Sequence, residues 1–389
     1  MKDKTFKIAE LIREYRRDFH MYPEIGFNEK RTSEKVATVL ENLGYRVRRG
    51  VARTGIVAEL GDGKPVIAIR ADMDALPIQE ANDVPYASKI PGMMHACGHD
   101  AHTAIALGMA TLLKNEQFPG TIRFLFQPSE DSDDEEGVSG APRMIEDGAM
   151  ENVDAILAVH VDAGTESGMI RTCPDKVLAG ADLFKAEIIG SGGHGGIPHK
   201  TIDPIHIVAH VILAINAIVS RRVPAFKTAV VSLGTLRGGT ADTIIPDKVE
   251  IKGTIRYTEM DVREKVHEEL RNAFSIAKSL GGDYTLEINA GSPPTMNNPK
   301  VVKTLLDVTE DLFGENKIVE YEQMMAGDDF AHLARLAPAG YFLLGCRIEG
   351  DERQHHDCRF DIDENCLSIG TAILIETALR LLRTPQDQR

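Results

Sequence analysis

The eight residues from His95 to His102 (His-Ala-Cys-Gly-His-Asp-Ala-His) hold three imidazoles, a thiol and a carboxylate around one glycine. Imidazole nitrogen and thiolate sulfur together suit zinc, manganese, cobalt or nickel. A carboxylate can bind the metal itself or orient a histidine that does. Gly98 lets the backbone bend so that neighbouring side chains converge. The cluster therefore predicts a metal site; the alternative is a structural cysteine beside surface histidines.

Further polar residues follow short apolar runs that are typical of buried strands, at 66–69 and 121–126. A third apolar run, 155–159, ends at a histidine. The residues in question are Asp72 and Asp74, Glu130 and Asp131, and His160. Ligand sites of open α/β sheets lie beyond the carboxyl ends of the strands. We therefore expect these side chains to face one crevice.

The chain has 389 residues, of which 43% are hydrophobic, enough for two domains with buried cores. A formal charge of -15 argues against sequence-independent binding to nucleic acid or to an anionic membrane. Five scattered cysteines do not form a disulfide pattern, which favours a reducing compartment. We find no secretory signal and no run of about 18 uninterrupted apolar residues. The expectation is a cytoplasmic protein that acts on small molecules.

The middle of the chain has its own order of elements. Asp203 and Pro204 are typical of a helix cap and first turn. The pattern predicts strand 184–189, helix 204–220, strands 229–236 and 249–257, helix 262–280 and strand 284–289. This β-α-β-β-α-β order is that of the split ferredoxin-like unit. We predict an α/β protein with this domain, residues 182–292, inserted into a discontinuous catalytic domain, residues 1–181 and 293–389.

Several motifs together carry a family resemblance over nearly the whole chain. They are Arg16–Glu24, Ile69–Pro77, Met94–Thr103, Phe126–Glu130, Gly192–Gly195, Ile245–Asp247, Gly253–Arg256, Asp329–Phe330, and His356 with Phe360–Asp361. With them the chain resembles the two-metal amidohydrolases and metallopeptidases that include aminoacylases, N-acyl-amino-acid hydrolases and indole-acetyl-amino-acid hydrolases. The resemblance implies a mixed-sheet catalytic domain interrupted by a lid and dimerisation domain, and therefore a homodimer.

The resemblance also implies a set of metal ligands for two divalent ions, with the cysteine sulfur between them. These ligands are Cys97, His99, Asp131, His160 and His356. Manganese or zinc is the expected metal, with cobalt and nickel as alternatives. Glu130 matches the family's general base, which takes a proton from a water activated by the two cations.

Other positions receive supporting roles. The residues expected to orient the ligands are Asp72, Asp74, Asp100 and His102. By resemblance, His194 stabilises the oxyanion in the partner's site; without the resemblance it reads as a surface histidine. Arg256 matches a residue that holds a substrate carboxylate, and its alternative is a cross-strand ion pair. Thr243 stands near the expected substrate anchor, and His95 receives no role.

Some residues depart from the family pattern. Asp131 stands where relatives carry Glu, Thr243 where many carry Asn, and Asp328 in place of Glu. The acidic stretch 130–136 also leaves Glu136 as an alternative ligand to Asp131. The leading prediction is hydrolysis of the amide bond of N-acyl amino acids or peptide-like conjugates. The alternatives are a carboxypeptidase-like or aromatic-amine-releasing hydrolase, and a metal-binding relative with weakened catalysis.

Overall fold

The computed structural model describes residues 1–350 and 352–384. Its helices are α1 (Lys2–Lys7), α2 (Ala9–Met21), α3 (Lys30–Asn42), α4 (His99–Leu113), α5 (Gly140–Glu146), α6 (Pro204–Arg222), α7 (Met260–Ser279), α8 (Pro299–Phe313), α9 (Phe330–Ala334) and α10 (Asn365–Arg383). Short 3-10 turns lie at Pro198–Lys200 and Glu315–Lys317.

The strands include every strand that the sequence predicts. They are β1 (Arg46–Val51), β2 (Gly55–Asp62), β3 (Val66–Asp72), β4 (Gly120–Gln127), β5 (Ala155–Glu166), β6 (Ile170–Arg171), β7 (Lys176–Leu178), β8 (Gly180–Ile189), β9 (Gly193–His194), β10 (Ala229–Gly238), β11 (Ile244–Ile245), β12 (Lys248–Tyr257), β13 (Asp283–Ala290), β14 (Thr295–Met296) and β15 (Ala339–Arg347).

The chain divides into two compact units. The larger one comprises Met1–Val177, Met296–Glu322 and Asp328–Arg389, and the smaller one comprises Leu178–Thr295 and Gln323–Gly327. The sequence-based boundaries, 181/182 and 292/293, lie close to these. The sequence did not indicate that the segment Gln323–Gly327 belongs to the smaller unit. This segment contacts the smaller unit through a hydrogen bond of 2.9 Å from the Ala179 amide to the Ala326 carbonyl.

The larger unit is built on a mixed seven-stranded sheet in the order β1-β2-β4-β3-β5-β15-β6. The four central strands are parallel, and the outer ones pair antiparallel. In the parallel register, Asp72 at the end of β3 pairs with Gln127 at the end of β4. The polar residues that follow these strands therefore emerge at one edge of the sheet.

Helix α4 follows the metal-type cluster and is almost wholly buried. It begins after Gly98, whose φ of 92° lies in the left-handed region that favours glycine. A Cβ at this position would lie 2.2 Å from Cγ2 of Val161 on β5. Gly98 is therefore required both for the turn and for the close approach of α4 to the sheet.

The smaller unit contains an antiparallel sheet in the order β10-β12-β8-β13, with elements in the predicted sequence β-α-β-β-α-β. Along β8, Phe184, Ala186 and Ile188 are buried, whereas the residues between them are more exposed. The buried face packs with the apolar sides of α6 and α7. Asp203 caps α6 and Pro204 begins it, as the sequence predicts.

Two helices, α6 and α10, have the length and composition of a membrane span. The sequence-based criterion of an uninterrupted apolar run did not indicate either of them. Most of the apolar stretch of α10 is buried (78%), so this helix belongs to the core of the larger unit. The corresponding stretch of α6 is 33% buried. All five cysteines are free, in agreement with the absence of a disulfide pattern.

Candidate metal centre

The larger unit brings five potential ligands together from separate parts of the chain. Cys97 and His99 flank Gly98 at the start of α4, and His160 lies in β5. Asp131 follows β4, and His356 precedes α10. The backbone of His356 has a φ of 64°, and its amide donates to the carbonyl of Ala96, 2.8 Å. This bond ties the loop before α10 to the cluster.

The ligand atoms form two overlapping groups, each spanning at most 4.8 Å. One group is Cys97, His99 and His160; the other is Cys97, Asp131 and His356. The His99 and Asp131 side chains connect the two groups, because Nε2 of His99 lies 3.9 Å from Oδ2 of Asp131. Cys97 is common to both, the position expected of a sulfur shared by two ions.

Unused polar atoms in this cluster fit a metal. Nε2 of His99 and Oδ2 of Asp131 are buried and have no hydrogen-bond partner among the described residues. Buried polar atoms normally form hydrogen bonds, so two that form none are suited to bind a metal ion instead. Burial and the neighbouring His102 hold the pKa of His160 well below its ordinary value, leaving a neutral ring suited to coordination. Thiolate, imidazole and carboxylate together suit zinc or manganese.

Asp131 rather than Glu136 lies in this cluster. The Glu136 side chain is 73% exposed and pairs with Arg143 at 2.5 Å. Asp131 lies 3.8 Å from Nε2 of His356 in addition to its approach to His99. In the acidic stretch 130–136, Glu130 and Asp131 therefore face the cluster, whereas Glu136 faces solvent.

Glu130 lies beside the cluster without joining either group. Its Oε2 is 3.9 Å from Nε2 of His99, and its Oε1 accepts a hydrogen bond from the Asp329 amide, 3.2 Å. Burial and the adjacent carboxylates of Asp328 and Asp131 raise the pKa of Glu130 well above its ordinary value. A carboxylate in such surroundings is a stronger base than one in water, which suits proton abstraction.

Two of the expected supporting aspartates contact ligand or neighbouring imidazoles. Oδ1 of Asp74 lies 3.0 Å from Nδ1 of His99, and its Oδ2 accepts from the Asp131 amide at 3.0 Å. Asp72 lies 2.5 Å from Nδ1 of His102, whose Nε2 accepts from the Val161 amide at 2.9 Å. Both nitrogens of His102 therefore have protein partners, which leaves none for a metal.

Asp100 has different partners from those expected. Its Oδ2 accepts from Nε of the buried Arg16 at 2.9 Å and lies 2.7 Å from Nδ1 of His20. Arg16 also donates to Asp361 at 2.8 Å. Asp100 is thus linked to α2 and not to the ring of a ligand histidine. His95 is buried, and neither of its ring nitrogens has a hydrogen-bond partner among the described residues.

The remaining predicted residues belong to the smaller unit. His194 lies on β9, is exposed, and accepts a hydrogen bond from the Gly196 amide through Nδ1, 2.9 Å. Thr243 is exposed, and its carbonyl accepts from the Gly195 amide, 2.8 Å. Arg256 is half-buried on β12 and forms no ion pair with the described carboxylates. The structure brings His194 and Thr243 close together, because His194 on β9 pairs with Ile244 of β11 and Thr243 directly precedes β11.

Sequence reasoning missed a buried ionic network next to Glu130. Arg70 on β3 pairs with Asp72, Asp328 and Asp329 at 2.6, 2.9 and 3.1 Å. The sequence could have indicated this network, because Arg70 directly follows the apolar run 66–69. Charged residues in a buried strand are rarely found without a partner of opposite charge. Glu29, buried under the loop that carries Glu130, gave no comparable signal.

Comparison with known proteins identifies the family. A model described as peptidase family M20/M25/M40 matches residues 68–380. The chain belongs to this family. It is 38% identical to thermostable carboxypeptidase 1 of Saccharolobus solfataricus, covering 95% of each chain. It is 36% identical to the IAA-amino acid hydrolase ILR1-like 2 of Arabidopsis thaliana, covering 98% of this chain and 87% of that one.

A solved structure of the M20 family supports the same assignment. The Bacillus subtilis YXEP protein, described as a dinuclear metal-binding peptidase, superimposes with a TM-score of 0.83 and 31% identity, covering 97% of this chain and 99% of that one. The present protein is accordingly a metal-dependent hydrolase of the amidohydrolase and peptidase type.

Proposed function

We propose that this M20 member hydrolyses the amide bond of N-acyl amino acids or small peptide-like conjugates, with two divalent ions and Glu130 as general base. The observation that carries the proposal is the placement of Glu130 and Asp131. These consecutive carboxylates both lie 3.9 Å from Nε2 of His99. One is suited to hold a metal, and the other to move a proton beside it.

The chemistry divides between the ions and the protein. Two divalent ions, when bound, lower the pKa of a shared water and polarise the amide carbonyl. The cluster of Cys97, His99, Asp131, His160 and His356 would hold them. Glu130 takes a proton from the attacking water and delivers it to the nitrogen of the leaving amine.

Two relatives and one residue of the smaller unit support the proposed substrate class. A carboxypeptidase and an IAA-amino acid hydrolase both cleave an amide whose nitrogen belongs to an amino acid. Arg256 donates to Thr254 and to the Ile255 carbonyl but has no carboxylate partner among the described residues, and we assign it to bind the substrate carboxylate. We assign Thr243 to the same substrate-binding region.

The smaller unit is proposed to be a ferredoxin-like lid that also forms a homodimer. This role rests on the family resemblance and on its element order. His194, exposed on β9, would then stabilise the oxyanion in the partner's site. Zinc and manganese are the proposed metals, and the proposed location is the cytoplasm.

Two variants test the base role. Glu130→Gln should bind metal normally and lose most turnover, because an amide cannot accept the proton. Glu136→Gln, which alters an exposed carboxylate nearby, is the matched control and should keep full turnover. Metal content and hydrolysis of N-acetyl, N-benzoyl and indole-acetyl amino acids would be measured for both. Unchanged turnover of Glu130→Gln would remove Glu130 from this role.

Carboxypeptidase-like cleavage is the second candidate, favoured by the carboxypeptidase relative. Mass analysis of the products separates the two: carboxypeptidase-like cleavage converts a short peptide into its terminal amino acid and a shortened peptide, whereas cleavage of a conjugate releases its acyl acid and the free amino acid. Two bound metals without hydrolysis of any substrate would instead indicate a metal-binding relative with weakened catalysis.

A further inference from the structure

Ser129, the residue before Glu130, is buried, and its amide, hydroxyl and carbonyl all form hydrogen bonds. Its amide donates to Oε1 of Glu29 at 2.8 Å, and its hydroxyl donates to the Ser132 carbonyl at 2.7 Å. Its own carbonyl accepts from the Gly140 amide at 2.8 Å. These bonds leave the backbone at this point little freedom.

The conformation of Ser129 is itself unusual. Its φ is 47°, in the left-handed region that residues other than glycine seldom occupy. This conformation is strained for a residue with a Cβ, so the surrounding hydrogen bonds must maintain it. Since Glu130 is the next residue, the direction of its side chain depends on this one backbone conformation.

Of the residues that bind Ser129, Glu29 is the most distant in sequence, 100 residues away. It lies at the start of α3, it is fully buried, and its Oε2 accepts from the Thr54 hydroxyl at 2.6 Å. Burial and the nearby charge of Asp74 raise the pKa of Glu29 to about 7. Keeping a carboxylate in such a place costs stability, which points to a use beyond packing.

We propose that Glu29 is a positioning residue for the general base: by accepting the Ser129 amide, it fixes the strained turn that aims Glu130 at the ligand cluster. The proposal rests on the proposed role of Glu130. Glu29 itself does not touch the substrate or the metals. It links α3, the Thr54 turn and the loop after β4 into one support for the base.

The test separates the hydrogen bond from the charge. Glu29→Gln keeps an oxygen for the Ser129 amide, and its new amide nitrogen can donate to Thr54. Glu29→Met fills the same space without an acceptor. Glu29→Asp keeps the charge but falls short of Ser129, and it carries the test if the Met variant does not fold. A matched control is Asp154→Leu, which removes the acceptor of the Val66 amide at the opposite end of β3.

The readouts on the metal-loaded enzyme are kcat, KM, metal content and hydrogen exchange of the backbone amides in segment 126–133. Glu29→Met and Glu29→Asp should lose roughly 10–100-fold in kcat, with KM and metal content unchanged and faster exchange. Glu29→Gln should restore kcat and slow exchange, and Asp154→Leu should leave kcat unchanged.

Different results would overturn different claims. Full kcat in Glu29→Asp and Glu29→Met, or loss of metal in place of kcat, would overturn the positioning role. An equal loss in Glu29→Gln would do the same, because the acceptor would then not matter. Full turnover in a parallel Glu130→Gln preparation would overturn the base role and, with it, the purpose assigned to Glu29.

Discussion

Oδ1 of Asp74 lies 3.0 Å from Nδ1 of His99. The other oxygen of Asp74 accepts the amide of Asp131, also at 3.0 Å. One side chain therefore contacts both the imidazole of His99 and the backbone of Asp131, two members of the proposed ligand set. A proton on Nδ1 of His99, donated to Asp74, would leave the Nε2 lone pair directed at the cluster, which is the tautomer that coordination requires.

Replacing Asp74 should weaken metal binding more than folding. Asp74→Asn removes the charge that fixes the His99 tautomer, and an expected loss of roughly 10–100-fold in metal affinity follows. Competition with a coloured chelator measures this affinity. Asp154→Asn, an equally structural aspartate at the far end of β3, is the control and should bind metal normally. Equal affinities for the two variants would contradict the orienting role.

Cys97 should be needed for both ions, whereas His356 should be needed for one. Cys97 belongs to both groups of ligand atoms, and His356 to a single group. We expect Cys97→Ser to lower the metal content of dialysed protein far more than His356→Ala, because a hydroxyl is a much poorer ligand than a thiolate. Elemental analysis of the two variants checks this. A greater loss in His356→Ala would argue against a shared sulfur.

Much of this site was accessible from sequence because its parts follow local rules. The apolar runs that predict β3 and β4 place Asp72 and Glu130 at or just after strand ends, and parallel strands bring those ends together. The run that predicts β5 places His160 next to them, although β5 continues past His160 to Glu166. Gly98 was expected at a bend, and its positive φ and contact with Val161 show why. Periodicity and strand order therefore account for the convergence of the catalytic unit.

The residues that position the site through long-range contacts could not be predicted from the sequence. Arg16 on α2 reaches Asp100 and Asp361, which are 84 and 345 residues away in sequence. Neither periodicity nor motif spacing reports on such contacts, because they depend on how whole elements pack. The same holds for Glu29 and Ser129, which are 100 residues apart. Asp100 was expected to orient a ligand histidine, because the sequence does not show its contacts with Arg16 and His20.

Removing the Arg16 guanidinium should destabilise the larger unit strongly. Its side chain is fully buried between Asp100 and Asp361, so Arg16→Met would leave buried carboxylates without their cation. The expected cost is about 3–5 kcal/mol in the free energy of unfolding, measured with urea. Arg13→Met, on the more exposed side of the same helix, is the control and should cost much less. Similar costs would show that the buried network is not what stabilises this region.

The stability of the smaller unit should depend on pH through Asp182. Its buried carboxylate accepts from Arg263 at 2.7 Å and lies 2.7 Å from Nε2 of His267. Burial alone would raise the pKa of Asp182, but these two partners outweigh it and lower the pKa below the ordinary 3.8. Folding therefore gains from the ionised form above pH 3.8, and this gain is lost as the pH falls through the lower folded pKa.

Asp182→Asn should remove that dependence. At neutral pH the variant should be less stable than the original protein, because it leaves Arg263 without its buried partner. As the pH falls from 3.8 towards the lower folded pKa, the two stabilities should approach each other, and they should meet once the folded carboxylate is neutral as well. Thermal unfolding between pH 3 and pH 7 measures the difference, with Asp283→Asn, an exposed aspartate of the same sheet, as the control. A constant difference across this range would show that the charge of Asp182 does not contribute to folding.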